Sequence, residues 1–419
     1  MADVKADAQR AAAEAATRVA RESYGKLVAF LSARSRDVAG AEDALSESFA
    51  AALREWPLSG VPHNPAGWLV VAARRRLADA SRRQRTAEAA GDDLQRIDDE
   101  LRGAAEGGAD AIPDRRLALM FVCAHPAIDA AIRAPLMLQA VLGLDAAAIA
   151  SAFLVAPATM GQRLSRAKAK IRLAGVPFRV PERADLPERL EAVLDAIYAA
   201  FSFGWAEALG NPRGRDLAQE AIWLARVTIS LAPDQPEALG LLALMLFAQA
   251  RRPARRDADG RYVPLGDQDT ALWDHGAIDE AEAALRRAAE LRSLGRFQLE
   301  AAIQSAHAAR RLGGCVDWPA IAQLYDGLYA LTGSPVVAVN RAVATAEAQG
   351  AEAGLALLDA VEATGDLGEF QPFWAAKAEL CARAGRVEEA LDAYARAAGL
   401  ETDPAVRAFL MERRAALVH

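Results

Sequence analysis

Cysteine and histidine are scarce: 419 residues include 3 cysteines and 5 histidines. Cys123, Cys315 and Cys381 are far apart and have no CxxC spacing, which excludes a disulfide framework and a cysteine zinc site. They read as reduced core residues. Aromatic residues make up only 6% of the chain, β-branched runs are short and alanine is abundant, so an all-α fold is expected. Long apolar runs are missing too. The segments IYAAF and GLLALMLFA fall well short of the roughly 20 residues a membrane helix needs. The opening MADVKADAQRAAAEAATRVARE is charged throughout and lacks the apolar stretch of a signal peptide, so a cytoplasmic protein without membrane attachment is expected. No excess of positive charge exists either. The net charge is -7, so any affinity for nucleic acid must sit in local basic patches.

What is present is helical pattern with sharp punctuation, clearest over residues 135–173. Leu138, Val141 and Leu142 are apolar at helical spacing, and Gly143 stops that helix. Asp145 suits the N-cap of a second helix, Ala146 to Phe153. Leu154-Val155-Ala156 makes the turn, and Pro157 suits the first position of a third helix, where its missing N–H costs nothing. Met160, Leu164, Ala167 and Ile171 then share one face. Thr159, Gln162, Arg163 and Arg166 share another. Between Pro157 and Pro181 lie six basic residues, Lys168 among them, and no acid. This is the pattern of a helix-turn-helix. Gln and Arg on its last helix can make two-point hydrogen bonds to base edges, while Arg and Lys can neutralise phosphate. An amphipathic helix pair with a solvated basic face is the alternative.

Upstream, residues 17–56 read as two or three helices. Asp43 and Glu47 lie one turn apart on a face that serves either solubility or the docking of a basic partner. Pro57 to Pro65 is a loop. From about Ala66 a helix carries Trp68 and then Arg74, Arg75, Arg76, Arg82, Arg83 and Arg85, six arginines in twelve residues with one acid among them. Solvated faces usually mix both signs, so this helix is a candidate polyanion contact. Residues 86–114 hold nine acids against two arginines and a Gly-rich run, which reads as a flexible acidic linker.

Residues 185–419 read as helix pairs. Trp374, Ala378, Ala390, Tyr394 and Ala397 stand at tetratricopeptide-repeat spacing, with diverged echoes upstream. Such a solenoid offers a concave surface to a protein or peptide partner. Residues 201–210 and 251–274 break the repeat register. Asp267, Asp269 and Asp274 in the second of these could be metal ligands or acid–base groups. No nucleophile, phosphate loop or His/Cys cluster accompanies them, so an ordered loop is expected, and no catalytic site, cofactor or metal.

Taken in order, GAEDALSESFAAALREW, NPAGWLVVAARRRLADASRRQ, the acidic linker and GLDAAAIASAFLVAPATMGQRLSRAKAKI resemble bacterial RNA polymerase sigma factors of the extracytoplasmic-function type. The resemblance implies region two at 17–85, a linker at 86–114 and region four at 115–180. It also implies that Asp43, Glu47, Phe49 and Trp56 dock on the polymerase β′ clamp, with the β flap as a further contact. His63 and Asn64 would hold a flipped base of the −10 element. Trp68, Arg74, Arg75, Arg76, Arg82 and Arg83 would face the upstream edge of the bubble. Thr159, Gln162, Arg163, Arg166 and Lys168 would meet the −35 element. Arg75 stands where the family often has Asn, and Ala148 where it usually has Glu.

The second half is similar to the tetratricopeptide-like extension of one subgroup, through ALGLLALMLFAQARRPAR, LGDQDTALWD and SPVVAVNRAVA. FSFGW there departs from an FNEGY-like motif and lacks its acid. In that subgroup the extension regulates the sigma factor in place of a membrane anti-sigma partner. Two other readings stay open: a stand-alone helix-turn-helix regulator with a repeat effector domain, and a repeat scaffold with no DNA role.

Overall fold

In the computed structural model, which describes residues 2–84, 112–153, 155–182, 186–207, 212–363 and 367–418, the all-α expectation holds. Among the described residues there are eighteen α-helices, short 3-10 turns and one isolated bridge between Arg256 and Tyr262. The chain divides into two compact units, Met1–Leu224 and Ala225–His419. The boundary expected at residue 185 therefore falls inside the first unit.

The first unit begins with three packed helices: α1 (Ala2–Ser35), α2 (Val38–Ser59) and α3 (Pro65–Gln84). The Asp37 side chain caps α2 by accepting the Gly40 N–H at 3.1 Å. Gly60, at φ 86°, closes α2 and donates its N–H to the Trp56 carbonyl. The helix continues through Pro57, so the connecting loop is shorter than the expected Pro57 to Pro65. Leu27, Leu31, Leu45, Trp56 and Leu69 fill the core.

Four more helices follow: α4 (Arg116–Cys123), α5 (Ala130–Leu142), α6 (Ala146–Ala152) and α7 (Pro157–Leu173). The punctuation acts as the sequence predicts. Gly143 is left-handed at φ 70° and ends α5. The Asp145 carboxylate accepts the Ala148 N–H at 2.8 Å, and Pro157 occupies the first turn of α7. Met160, Leu164, Ala167 and Ile171 are all buried. Helix α8 (Leu186–Glu207) packs on α4 and α5. It runs through residues 201–207, so FSFGW, which departs from the repeat register, lies within a helix. Gly204 costs a helix only about 1 kcal/mol, too little to end one that buries Val193, Ile197 and Phe201. Arg116 ties α4 to α9 (Pro212–Leu231) by pairing with Glu220 and lying 4.0 Å over the Trp223 ring.

In the second unit α10 (Pro236–Ala250), α11 (His275–Glu290), α12 (Arg296–Ala308), α13 (Trp318–Thr332), α14 (Pro335–Gln349), α15 (Ala351–Glu362), α16 (Gln371–Arg383), α17 (Val387–Leu400) and α18 (Pro404–Ala415) pack mainly on their sequence neighbours. Glu237 of α10 accepts the N–H groups of Phe297 at 3.0 Å and Gln298 at 3.2 Å. Its charge thus sits on the exposed donors of α12's first turn.

Residues 251–274 form the expected ordered loop. Arg310 holds it by donating to the carbonyls of Leu265, Gly266 and Gln268, and Trp273 is buried. Asp269 and Asp274, entertained as ligands or acid–base groups, cap helices instead by accepting the N–H of Ala271 and Ala277. Cys123 and Cys381 are buried, but Cys315 is exposed, which corrects its placement in a core.

Candidate nucleic-acid interface

Two exposed faces in the first unit carry the residues of interest. On α7 the apolar stripe turns inward, and this forces Thr159, Gln162, Arg163 and Arg166 outward, where all four are exposed. The helix is basic and its hydrogen-bonding side chains stand on one side, the arrangement a major groove accepts. Lys168 does not belong to that face. It is 8% exposed and pairs with Glu42 of α2. Position 168 is four residues beyond Leu164 and three before Ile171, so the helical period places it on the inward stripe.

On α2, Asp43, Ser46, Glu47, Ala50, Leu53 and Arg54 are exposed at helical spacing. Leu53, 49% exposed, was not singled out in the sequence, yet it adds an apolar contact at the C-terminal end of this strip. Leu58 in the last turn of α2 and Val61 in the loop that follows are exposed as well. An apolar side chain on one strip with Asp43 and Glu47 suits a partner surface that is apolar and basic.

Phe49 is half-buried. Trp56 is 1% exposed and meets Trp68 edge to face at 5.6 Å. Its place is in the core, which corrects its assignment to a docking surface.

The loop and the start of α3 divide into free and committed groups. His63 is exposed. The Asn64 Oδ1 accepts the Gly67 N–H at 3.0 Å and so caps α3. Trp68 is half-buried.

The arginine helix is less uniform than its sequence. Arg75 is exposed and Arg74 half-buried. Arg76 donates to Ser48 Oγ at 3.2 Å and to the Ala72 carbonyl at 3.2 Å. It also lies 3.3 Å from a Glu47 oxygen. Arg76 is therefore a brace between α3 and α2, which corrects its assignment as a free DNA contact. The side chains of Arg82 and Arg83 lie outside the described residues.

The electrostatics around α2 follow from burial. Burial pushes the Glu42 carboxyl up from its ordinary value; Lys168 pulls it back, and Asp43 adds a smaller push upward. Tyr24 is pushed up to about 12, mainly by burial and then by Glu42 and Asp43. Among the described residues there is no group of His, Cys, Asp and Glu side chains able to hold a metal ion. No described helix is long and apolar enough to cross a membrane.

Comparison with known proteins places these faces in context. Residues 19–87 match sigma-70 region 2, which supports a sigma-factor role in transcription initiation. Residues 189–289 match a family of unknown function, DUF6596. An uncharacterized protein of Rhizobium meliloti (strain 1021), R00370, is 40% identical over 378 residues, which covers 88% of each chain. No solved structure matches the chain.

Proposed function

This chain belongs to the family of that Rhizobium meliloti protein and carries a sigma-70 region 2, and on that premise we propose that it is a promoter-specificity subunit of bacterial RNA polymerase, of the extracytoplasmic-function type. The observation that carries the proposal is the pairing of two surfaces on one chain. Region 2 presents Asp43, Glu47 and Leu53 outward, and a capped helix-turn-helix presents Thr159, Gln162, Arg163 and Arg166 outward.

The first surface serves core polymerase, through the β′ clamp. His63, Trp68, Arg74 and Arg75 serve the −10 element, where melted bases can stack and hydrogen-bond. The second surface serves the −35 element, with the β flap holding region four in place. The protein needs no catalytic group of its own for this role. Residues 185–419 are a tetratricopeptide-like regulatory module that responds to a protein or peptide partner.

Gel-shift titration tests the reading. The chain, core polymerase and the DNA upstream of the chain's own gene are mixed singly and together. A specific, salt-resistant complex that forms only with core present supports the proposal. Tight operator binding by the chain alone, unaffected by core, identifies a stand-alone regulator instead.

A further inference from the structure

In the second unit three short turns pack together: Arg252–Arg255, Thr270–Leu272 and Ala309–Leu312. The Asp274 N–H donates to the Ala250 carbonyl at 3.0 Å and so draws the end of the 251–274 loop back to its start. Arg251 enters this junction from the end of α10, and Arg310 enters it from the third turn. His307, in the last turn of α12, feels the charges of both. The Trp273 ring centre lies 5.8 Å from the Arg310 guanidinium carbon. These four side chains form one group.

The two arginines are held by neutral groups. The Arg251 Nε donates to the Phe247 carbonyl at 3.3 Å, and its Nη2 donates to the Gln304 amide oxygen. Arg310 donates to the backbone carbonyls of Leu265, Gly266 and Gln268. Among the described residues neither arginine pairs with a carboxylate. Asp403 is taken by Arg256. Burial, and then the charge of Arg255, lowers the Arg251 guanidinium to about 10. Buried charge of one sign is costly until an opposite charge offsets it.

Donors are also in surplus. A guanidinium has more N–H groups than these bonds use. Trp273 is 4% exposed, and its Nε1 has no hydrogen-bond partner among the described residues. His307, neutral at pH 7, offers one ring N–H.

We propose that Arg251, Arg310, Trp273 and His307 form a binding site for a small, free, tetrahedral oxyanion of the phosphate class. The two guanidinium forks supply charge and paired donors. The indole and imidazole N–H groups bring the donor set beyond what the two oxygens of a carboxylate use. Trp273 and His307 are both buried, which favours a compact anion over the edge of a macromolecule. The bound anion ties the 251–274 loop to α10 and to the end of α12, so its concentration sets the order of that loop. The site lies within the second unit and does not rest on the sigma-factor reading.

Two measurements on the full chain test the site: calorimetric titration with inorganic phosphate, with chloride holding the ionic strength constant, and amide hydrogen exchange with and without phosphate. The expected result is one saturable site, with protection confined to residues 251–274 and 304–312. Arg251→Gln weakens binding at least about tenfold. Trp273→Phe keeps a ring and removes the N–H, weakens binding about fivefold, and decides the matter if the first variant fails to fold. Arg163→Ala with Arg166→Ala leaves binding unchanged. Neither heat nor local protection on adding phosphate overturns the site, as does binding that both Arg251→Gln and Trp273→Phe retain. Protection spread evenly over both units is the general effect of an excluded salt and also overturns it. Acetate that binds as tightly as phosphate contradicts a tetrahedral ligand, and phenyl phosphate that binds more tightly contradicts a free anion.

Discussion

Trp68 of α3 presents its ring edge to face against Trp56 of α2, the planes at 71° and the centroids 5.6 Å apart. This contact, with Trp56 fully enclosed, fixes the angle between the helix that offers the acidic strip and the helix that carries the arginines. Trp56→Ala is expected to destabilise the domain by about 3–5 kcal/mol, as large aromatic truncations in cores do. Urea denaturation followed by circular dichroism should show the midpoint fall. An unchanged midpoint with lost polymerase binding would return Trp56 to the docking surface.

The exposed pair on α7 should behave in the opposite way. Arg163→Ala with Arg166→Ala leaves the melting temperature unchanged, because neither side chain is buried. If both meet phosphate, the slope of log affinity against log salt falls by roughly 2. If one reads a base, specificity at that base relaxes as well. Salt titration of holoenzyme binding on native and mutated −35 sequences separates the two cases.

Arg76→Ala makes a useful contrast. It removes the bonds to Ser48 and the Ala72 carbonyl and the pairing with Glu47. The variant should lose stability measurably by urea denaturation while the salt dependence of DNA binding stays near that of the native chain. Loss of salt dependence with full stability would make Arg76 a phosphate contact.

His307 gives the second unit a pH limb. Burial, and then the charges of Arg251 and Arg310, lower its pKa from 6.5 to about 4. The ring lies edge to face against Trp318. Because the folded value is depressed, the unfolded chain takes up the proton first as pH falls. Stability is full above about pH 6.5 and declines toward pH 4, by up to about 3 kcal/mol. His307→Gln should flatten the curve in that window while leaving other acid-induced losses. A curve that keeps its slope after the substitution contradicts the assignment.

Helix α12 depends on a residue of another helix for its first turn. Glu237→Ala leaves the N–H groups of Phe297 and Gln298 without the carboxylate they now share. The expected cost is about 1–2 kcal/mol, with faster amide hydrogen exchange confined to the start of α12. Uniform exchange across the whole unit would instead mean that Glu237 matters to the global fold.

The helix-turn-helix was legible because its signals are local. Gly143, Asp145 and Pro157 each act within a few residues, and the stripe Met160–Ile171 needs only the helical period. Lys168 was misassigned to the DNA face although the same period places it inward, since a lysine looks out of place on an apolar stripe until its partner is known. That partner, Glu42, lies 126 residues away, and sequence spacing carries no information about such a pair. Trp56 was misassigned for a related reason: its enclosure depends on Trp68, beyond the turn. FSFGW departs from the repeat register and still lies within α8, because the apolar residues before it bury enough surface to continue a helix.

The measurement that bears most directly on the central claim is run-off transcription with purified core RNA polymerase, the full chain and the DNA upstream of its own gene. A specific transcript that appears only when the chain is added, and that Arg163→Ala with Arg166→Ala reduces at least about tenfold, corresponding to about 1.4 kcal/mol of lost recognition, is the predicted result. Core polymerase that gains no specific transcript from the chain on any candidate promoter, while the chain alone binds the same DNA tightly, would contradict it.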